Sequence, residues 1–317
     1  MYRVINTAAY MTDEARGHLT SHGCEVLDCD LYKLTEEEFC LKLQGIEAVV
    51  AGSELWPETV LGAAESLRIV ARTGAGVDTV DLEAAARRGV WVTNTPGATS
   101  PAVADFTLGL ILCLLRNIPA VARDMKDGKW EQYCGRDLGS LTLGVVGAGS
   151  IGREVIKRAR GFGARALAYD IAPDDEFARE FQVEYVPLDE LMARADIVSI
   201  HVSLNEQTRG LIDERRLGLM KKLSYLINTS RPAVVDKGAL VKLLEAREIA
   251  GAGIDVHDPE PPAPDDPLVA LDNVIATPWT AYKTQETISR MCIGAATDVV
   301  TVLEGGAPRF PVNRPDV

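Results

Sequence analysis

Several common classes are excluded by what this 317-residue chain has little of. Basic charge is scarce: 33 Lys and Arg stand against 46 Asp and Glu, for a formal net charge of −13. A nucleic-acid binder or a protein lying on an anionic membrane normally carries a basic face, so neither partner is expected. No apolar run approaches the roughly 20 residues that span a bilayer. The longest, Phe106–Leu115, stops at Arg116. The N-terminus, MYRVINTAAYMTDEAR, reads as a strand and a polar turn, without the apolar centre of a signal peptide. The four histidines, His18, His22, His201 and His257, do not read as a metal site. The six cysteines, Cys24, Cys29, Cys40, Cys113, Cys134 and Cys292, contain no CxxC pair. They are expected to be reduced and mostly buried in a cytoplasmic protein, since a disulfide framework belongs to smaller secreted chains.

What is present is ordinary for a globular protein: 47% hydrophobic and 25% charged residues, with mean hydropathy +0.03. The length suggests about two domains. In the first hundred residues, short apolar segments (Tyr2–Asn6, Glu25–Asp28, Ala48–Ala51, Arg68–Arg72, Val90–Thr93) alternate with helical ones. Thr35-Glu-Glu-Glu38 has the spacing of a capping box. A long apolar helix is expected over Ala102–Arg116, then an irregular stretch to Leu141. Alternation resumes at the strand Thr142–Val146, runs to Pro278, and a helix over Thr284–Leu303 closes the chain. Strands alternating with helices imply parallel sheets covered by helices on both faces, here in two α/β units.

One turn carries chemistry by itself. Gly147-Ala-Gly149-Ser-Ile-Gly152 is a G-x-G-x-x-G that follows an apolar strand and opens a helix, the context a dinucleotide-binding turn requires. Gly147 permits the tight turn, Gly149 the approach of a pyrophosphate, and Gly152 close helix–strand packing. The helix N-terminus offers N–H groups and the positive end of its dipole to the phosphates. Asp170 ends the next strand, where an acidic residue accepts the ribose hydroxyls and repels a 2′-phosphate. NAD is therefore expected in preference to NADP.

Further stretches run in order along the chain. They are Asn94-Thr-Pro-Gly97 with Ala102–Gly109, then Leu143–Gly152, then Ser199–Leu204 with Thr208–Ile212. Leu226–Arg231, Gly251–Pro262 and Asn273–Pro278 follow. Together they resemble the D-isomer-specific 2-hydroxyacid dehydrogenases, the family of D-lactate and phosphoglycerate dehydrogenases. The resemblance implies a flavodoxin-like substrate domain (residues 1–100 and 284–317) and an inserted Rossmann NAD-binding domain (residues 101–283). It implies an active site in a cleft whose closure excludes water, and a homodimer formed through the Rossmann domain. The implied reaction interconverts a 2-keto acid and a D-2-hydroxy acid by hydride transfer with NAD(H).

By the same resemblance, Arg231 binds the substrate carboxylate and carbonyl, a task suited to a planar, permanently charged fork. Glu260 is the acid that tunes a catalytic histidine. The backbone of Gly74, Ala75 and Gly76 binds the substrate carboxylate, and Ser53 and Tyr282 line the pocket. The cofactor set comprises Gly147, Gly149, Ser150, Ile151, Gly152, Asp170, His201, Thr208, Thr229, Ser230 and Asp255, the last holding the nicotinamide carboxamide. No metal is implied. His257 replaces what is commonly an aromatic residue and reads as a packing residue. The Ser53-Glu54-Leu55-Trp56 turn gives an uncharged to mildly acidic, aromatic wall. Ala51-Gly52 stands where many relatives have an arginine, which speaks against phosphorylated substrates.

One departure matters. After Thr277-Pro278, where the family has its catalytic histidine, the chain has Trp279, while Ala281, Tyr282 and Thr284 keep the register. An indole N–H is a donor that does not titrate in the working range. Loss of a positioned general acid typically costs about 10²–10⁴ in rate. Three readings stay open: a dehydrogenase with another proton source (Glu260, Tyr282, Lys283, His257 or water), a substrate that needs no histidine and stacks on Trp279, or a non-catalytic NAD(H)-binding sensor or scaffold.

Overall fold

The computed structural model describes residues 1–315 and divides into two compact units: Met1–Thr99 with the chain from Lys283 onward, and Ser100–Tyr282. The first unit holds a five-stranded, all-parallel sheet of β1 (Tyr2–Asn6), β2 (Cys24–Asp28), β3 (Ala48–Ala51), β4 (Ile69–Arg72) and β5 (Trp91–Thr93). The strand order is β2-β1-β3-β4-β5. β3 and β4 are buried along their whole length, as strands covered on both faces must be. One face packs Phe39, Leu43, Val60, Leu61 and Ala84 from three short helices. The other face is covered by the helix Asp13–Ser21, through Ala15 and Leu19, together with the end of the chain. The helix Gln285–Leu303 returns to it and buries Cys292, Ala295, Ala296 and Val299 beside Val4, Leu19 and Ile69. The capping box forms as the spacing predicts, with Thr35 and Glu38 satisfying each other's backbone N–H groups.

The second unit holds a seven-stranded parallel sheet. Its strands are β6 (Thr142–Val146), β7 (Arg165–Tyr169), β8 (Val183–Tyr185), β9 (Ile197–Ile200), β10 (Tyr225–Asn228), β11 (Gly251–Ile254) and β12 (Val274–Ala276). Their order, β12-β11-β10-β9-β6-β7-β8, reverses between β9 and β6. In an open α/β sheet the crevice beyond the carboxyl ends at such a switch point is where ligands bind.

The apolar helix expected after residue 101 runs from Ser100 to Arg116 and is a core element of this unit. Gly251 and Gly253 let it lie close to β11. A Cβ at Gly253 would stand 3.2 Å from the Leu110 Cβ, and one at Gly251 3.4 Å from Leu114. Among the described residues no single helix is long and apolar enough to cross a membrane. All six cysteines are free, and fewer are buried than the sequence suggests: Cys24, Cys29 and Cys292 are buried, Cys40 and Cys113 are half-buried, and Cys134 is exposed.

Candidate functional site

The glycine turn sits at the switch point, between the end of β6 and the helix Ser150–Gly161. Each glycine has a distinct physical reason. Gly147 has φ +93°, and a Cβ there would lie 2.9 Å from the His201 carbonyl at the end of β9. A Cβ on Gly152 would fall 2.1 Å from the Gly147 carbonyl oxygen, so only glycine fits. Gly149 is exposed, with no atom within 4 Å of where a Cβ would be, and leaves an open approach to the helix start. As N-cap it has no side chain to occupy the first N–H groups of the helix, at Ser150, Ile151 and Gly152. These residues fit a dinucleotide pyrophosphate.

Asp170 follows β7 and accepts the Ala148 N–H on Oδ2 (2.8 Å) and the Ala172 N–H on Oδ1 (2.9 Å). Each carboxylate oxygen keeps a lone pair for a hydroxyl donor. Sequence reasoning missed the neighbour that completes this end. The Arg153 guanidinium bonds the Ala148 carbonyl (2.9 Å) and Asp174 (2.8 Å), and lies 5.0 Å from the Phe177 ring. Its place directly after Gly152 is the signal that could have found it.

Other members of the predicted cofactor set have local partners. The Thr208 hydroxyl donates to the Ser203 carbonyl (2.6 Å) and accepts the Asn205 N–H (2.8 Å), which ties the loop after β9. Ser230 donates both its N–H and its hydroxyl to Asn228 Oδ1. The Thr229 hydroxyl lies 3.3 Å from that of Thr107. His201 pairs its Nε2 with the Ser199 hydroxyl (2.8 Å), while its Nδ1 is buried without a partner. Burial pushes its pKa down to about 3, so the ring is neutral at physiological pH.

At the ends of β10, β11 and β12 the structure brings together Arg231, Asp255 and Trp279. Asp255 is buried, and its Oδ1 accepts the Thr277 hydroxyl (2.6 Å) and the Thr280 N–H (3.0 Å). Its Oδ2 accepts the Ala281 N–H (2.9 Å), and its backbone carbonyl accepts the Trp279 N–H (2.9 Å). The carboxylate thus holds the whole loop that carries Trp279, a partnership that sequence reading did not find. The loop bends through Trp279 at φ +47°, a left-handed conformation that costs a bulky residue about 1–3 kcal/mol. The half-buried Arg231 guanidinium stands 5.4 Å from the indole centroid, within cation–π range.

Two further residues lie beside this loop. Glu260 is exposed, and its Oε1 accepts the His257 backbone N–H (2.9 Å). His257 is buried, with Nε2 2.9 Å from the Thr277 carbonyl. Because a carbonyl only accepts, Nε2 carries the proton and the ring acts as a strut beneath the same loop.

Ser53, Gly74, Ala75 and Gly76 belong to the first unit. There the Thr73–Val77 turn follows β4, its carbonyls tied to Thr95 and Asn94. Among the described residues, no acceptor takes the N–H groups of Gly74, Ala75 and Gly76. Such a run of free amides fits a small carboxylate. Tyr282 is the last residue of the second unit and is half-buried.

Residues 108–281 match the model of the NAD-binding domain of D-isomer-specific 2-hydroxyacid dehydrogenases. A glyoxylate reductase of Korarchaeum cryptofilum is 43% identical over 261 residues, covering 80% of this chain and 79% of that protein. A D-3-phosphoglycerate dehydrogenase of Archaeoglobus fulgidus is 35% identical over 97% of this chain, which spans only 58% of its length. Among solved structures, a D-lactate dehydrogenase of Aquifex aeolicus complexed with NAD and lactic acid superposes with a TM-score of 0.87 at 28% identity. That match covers 99% of this chain and 100% of the other.

Proposed function

The chain belongs to the D-isomer-specific 2-hydroxyacid dehydrogenase family, and from that membership we propose that it interconverts a small 2-keto acid and its D-2-hydroxy acid, with a proton source other than histidine. The observation that carries this reading is the Arg231–Trp279 pair, held by Asp255 on the sheet whose switch point bears the dinucleotide turn. Bound NADH would supply the hydride. The protein's own contribution is charge and position. Arg231 presents a fork to the carboxylate and carbonyl oxygens and stabilises the alkoxide as it forms. In the first unit, the Gly74–Gly76 amides fit a small carboxylate.

Trp279 closes one side of Arg231 with an apolar ring and has no acid to give. His257 does not replace it, because its ring proton is committed to the Thr277 carbonyl. We assign the proton to solvent water beside Arg231. The test is NADH oxidation against glyoxylate, pyruvate, hydroxypyruvate, phenylpyruvate and 4-methyl-2-oxopentanoate. Turnover on at least one is expected. Absence of turnover with NADH bound, followed by its fluorescence, would overturn the reading in favour of a non-catalytic NAD(H)-binding protein.

NAD is favoured over NADP because a 2′-phosphate would meet the Asp170 carboxylate, whose oxygens are already fixed in place by Ala148 and Ala172. Replacing Asp170→Ser removes the charge and both strong acceptors. Activity with NADH should fall about 10- to 100-fold, the size of a lost hydrogen bond to a charged group, and the NADPH/NADH ratio of kcat/KM should rise by at least as much. An unchanged ratio would remove Asp170 from cofactor selection.

Unpaired thiols suit a reducing compartment and support a cytoplasmic location. The exposed Ile118, Met125, Trp130 and Tyr133, on the segment after the helix Ser100–Arg116, support a homodimer through the Rossmann unit. Sedimentation should give twice the 34.2 kDa chain mass, and a monomer would refute this assembly.

A further inference from the structure

The first unit has its own switch point, between β1 and β3, and a carboxylate is built into it. Glu54 lies on the turn after β3. Its Oε1 accepts the Thr7 hydroxyl (2.5 Å), from the turn after β1, and the indole N–H of Trp56 (3.1 Å), a fully buried ring. Gly52 makes room for it: a Cβ there would lie 2.9 Å from Glu54 Oε2 and 3.3 Å from the Ala8 Cα. Among the described residues, Oε2 accepts no hydrogen bond and Glu54 has no cationic partner. Thr7 and Trp56 need only an acceptor, which an amide oxygen would supply equally well. The negative charge is therefore surplus to the structural role. The turn after the neighbouring strand, β4, carries the Gly74–Gly76 amides, and adjacent strands lie about 4.8 Å apart. A substrate whose carboxylate sat on those amides would have the Glu54 turn beside it, because Ala51 and Arg72, just before the two turns, are paired.

We propose that Glu54 determines substrate specificity, selecting 2-keto acids whose distal group is cationic, a guanidinium or an ammonium, and rejecting phosphorylated ones. The proposal rests on the reduction of 2-keto acids argued above. With Oε1 taken up by Thr7 and Trp56, the ionised carboxylate attracts a guanidinium or ammonium through a charge-assisted hydrogen bond to Oε2, whereas a phosphate set against it meets like charge.

The test compares wild type with Glu54→Gln, which keeps an acceptor for Thr7 and Trp56 and removes only the charge. The probes are 5-guanidino-2-oxopentanoate, 4-methyl-2-oxopentanoate and 3-phosphonooxypyruvate. In wild type, kcat/KM for the guanidino acid should exceed that for the neutral acid by about tenfold or more, a typical charge-assisted preference. In Glu54→Gln that ratio should collapse towards unity through KM, and the phosphorylated acid should gain. A purely structural role would lower all three together and leave the ratios unchanged, which would overturn the proposal. Titration calorimetry of the same acids in the presence of NAD⁺, where no reduction proceeds, reads the same ratio without turnover. A charge-dependent binding ratio with no turnover would sink the dehydrogenase reading alone. Turnover with no charge-dependent ratio would sink the Glu54 assignment alone.

Discussion

Replacing Trp279→His should raise kcat for 2-keto acid reduction by about 100-fold or more, within the 10²–10⁴ range of a positioned general acid. The substitution restores a titratable donor beside Arg231, on a loop whose position Asp255 sets through the Thr277, Thr280 and Ala281 bonds. The imidazolium is the donor, so the new activity should be full at low pH and fall as pH rises through the histidine pKa. Wild type, with no titrating group at 279, should lack that limb in its profile.

Stability should move little. The left-handed backbone at position 279 suits histidine better than a bulkier indole, which offsets the loss of a cation–π contact of about 0.5–1 kcal/mol. A fall in activity, with the fold intact by circular dichroism, would show that Trp279 has an adapted role against substrate. An unchanged rate would mean that proton delivery does not limit turnover.

The second large effect is expected at Arg231. Arg231→Gln should lower kcat/KM by about 10³, the order seen when a charge-stabilising donor is removed from a reaction centre. Arg231→Lys keeps the charge but not the fork, and should recover only part of the loss. NADH binding should persist, because the glycine turn lies at the end of β6, separated from β10 by β9. The indole emission of Trp279 should shift in both variants as its cation partner changes. Retained activity in Arg231→Gln, measured by NADH oxidation with the best substrate, would remove Arg231 from the chemistry.

The sequence by itself determined what local rules encode. Alternating apolar segments and helices specified two parallel sheets. The spacing Thr35–Glu38 specified a capping box that forms as written. The glycines at 147, 149 and 152 announced their turn because each answers to its immediate surroundings: a positive φ, an open approach, a 2.1 Å clash. Arg231 and Trp279 were legible only through resemblance to a family.

The tertiary structure decided the partnerships. Asp255 reads by resemblance as a cofactor ligand, and the fold adds the partners Thr277, Thr280 and Ala281, more than 20 residues away, because β11 lies between β10 and β12. His257 became a strut and Glu260 an exposed acceptor for the same reason. Glu54 drew its meaning from Thr7, 47 residues earlier, once β1 and β3 were paired. Hydrogen-bond partners at the ends of parallel strands are set by strand order, and strand order is fixed by how helices cover the two faces of a sheet. Spacing along the chain encodes the helices and strands, and their neighbours emerge only when the sheet closes its core.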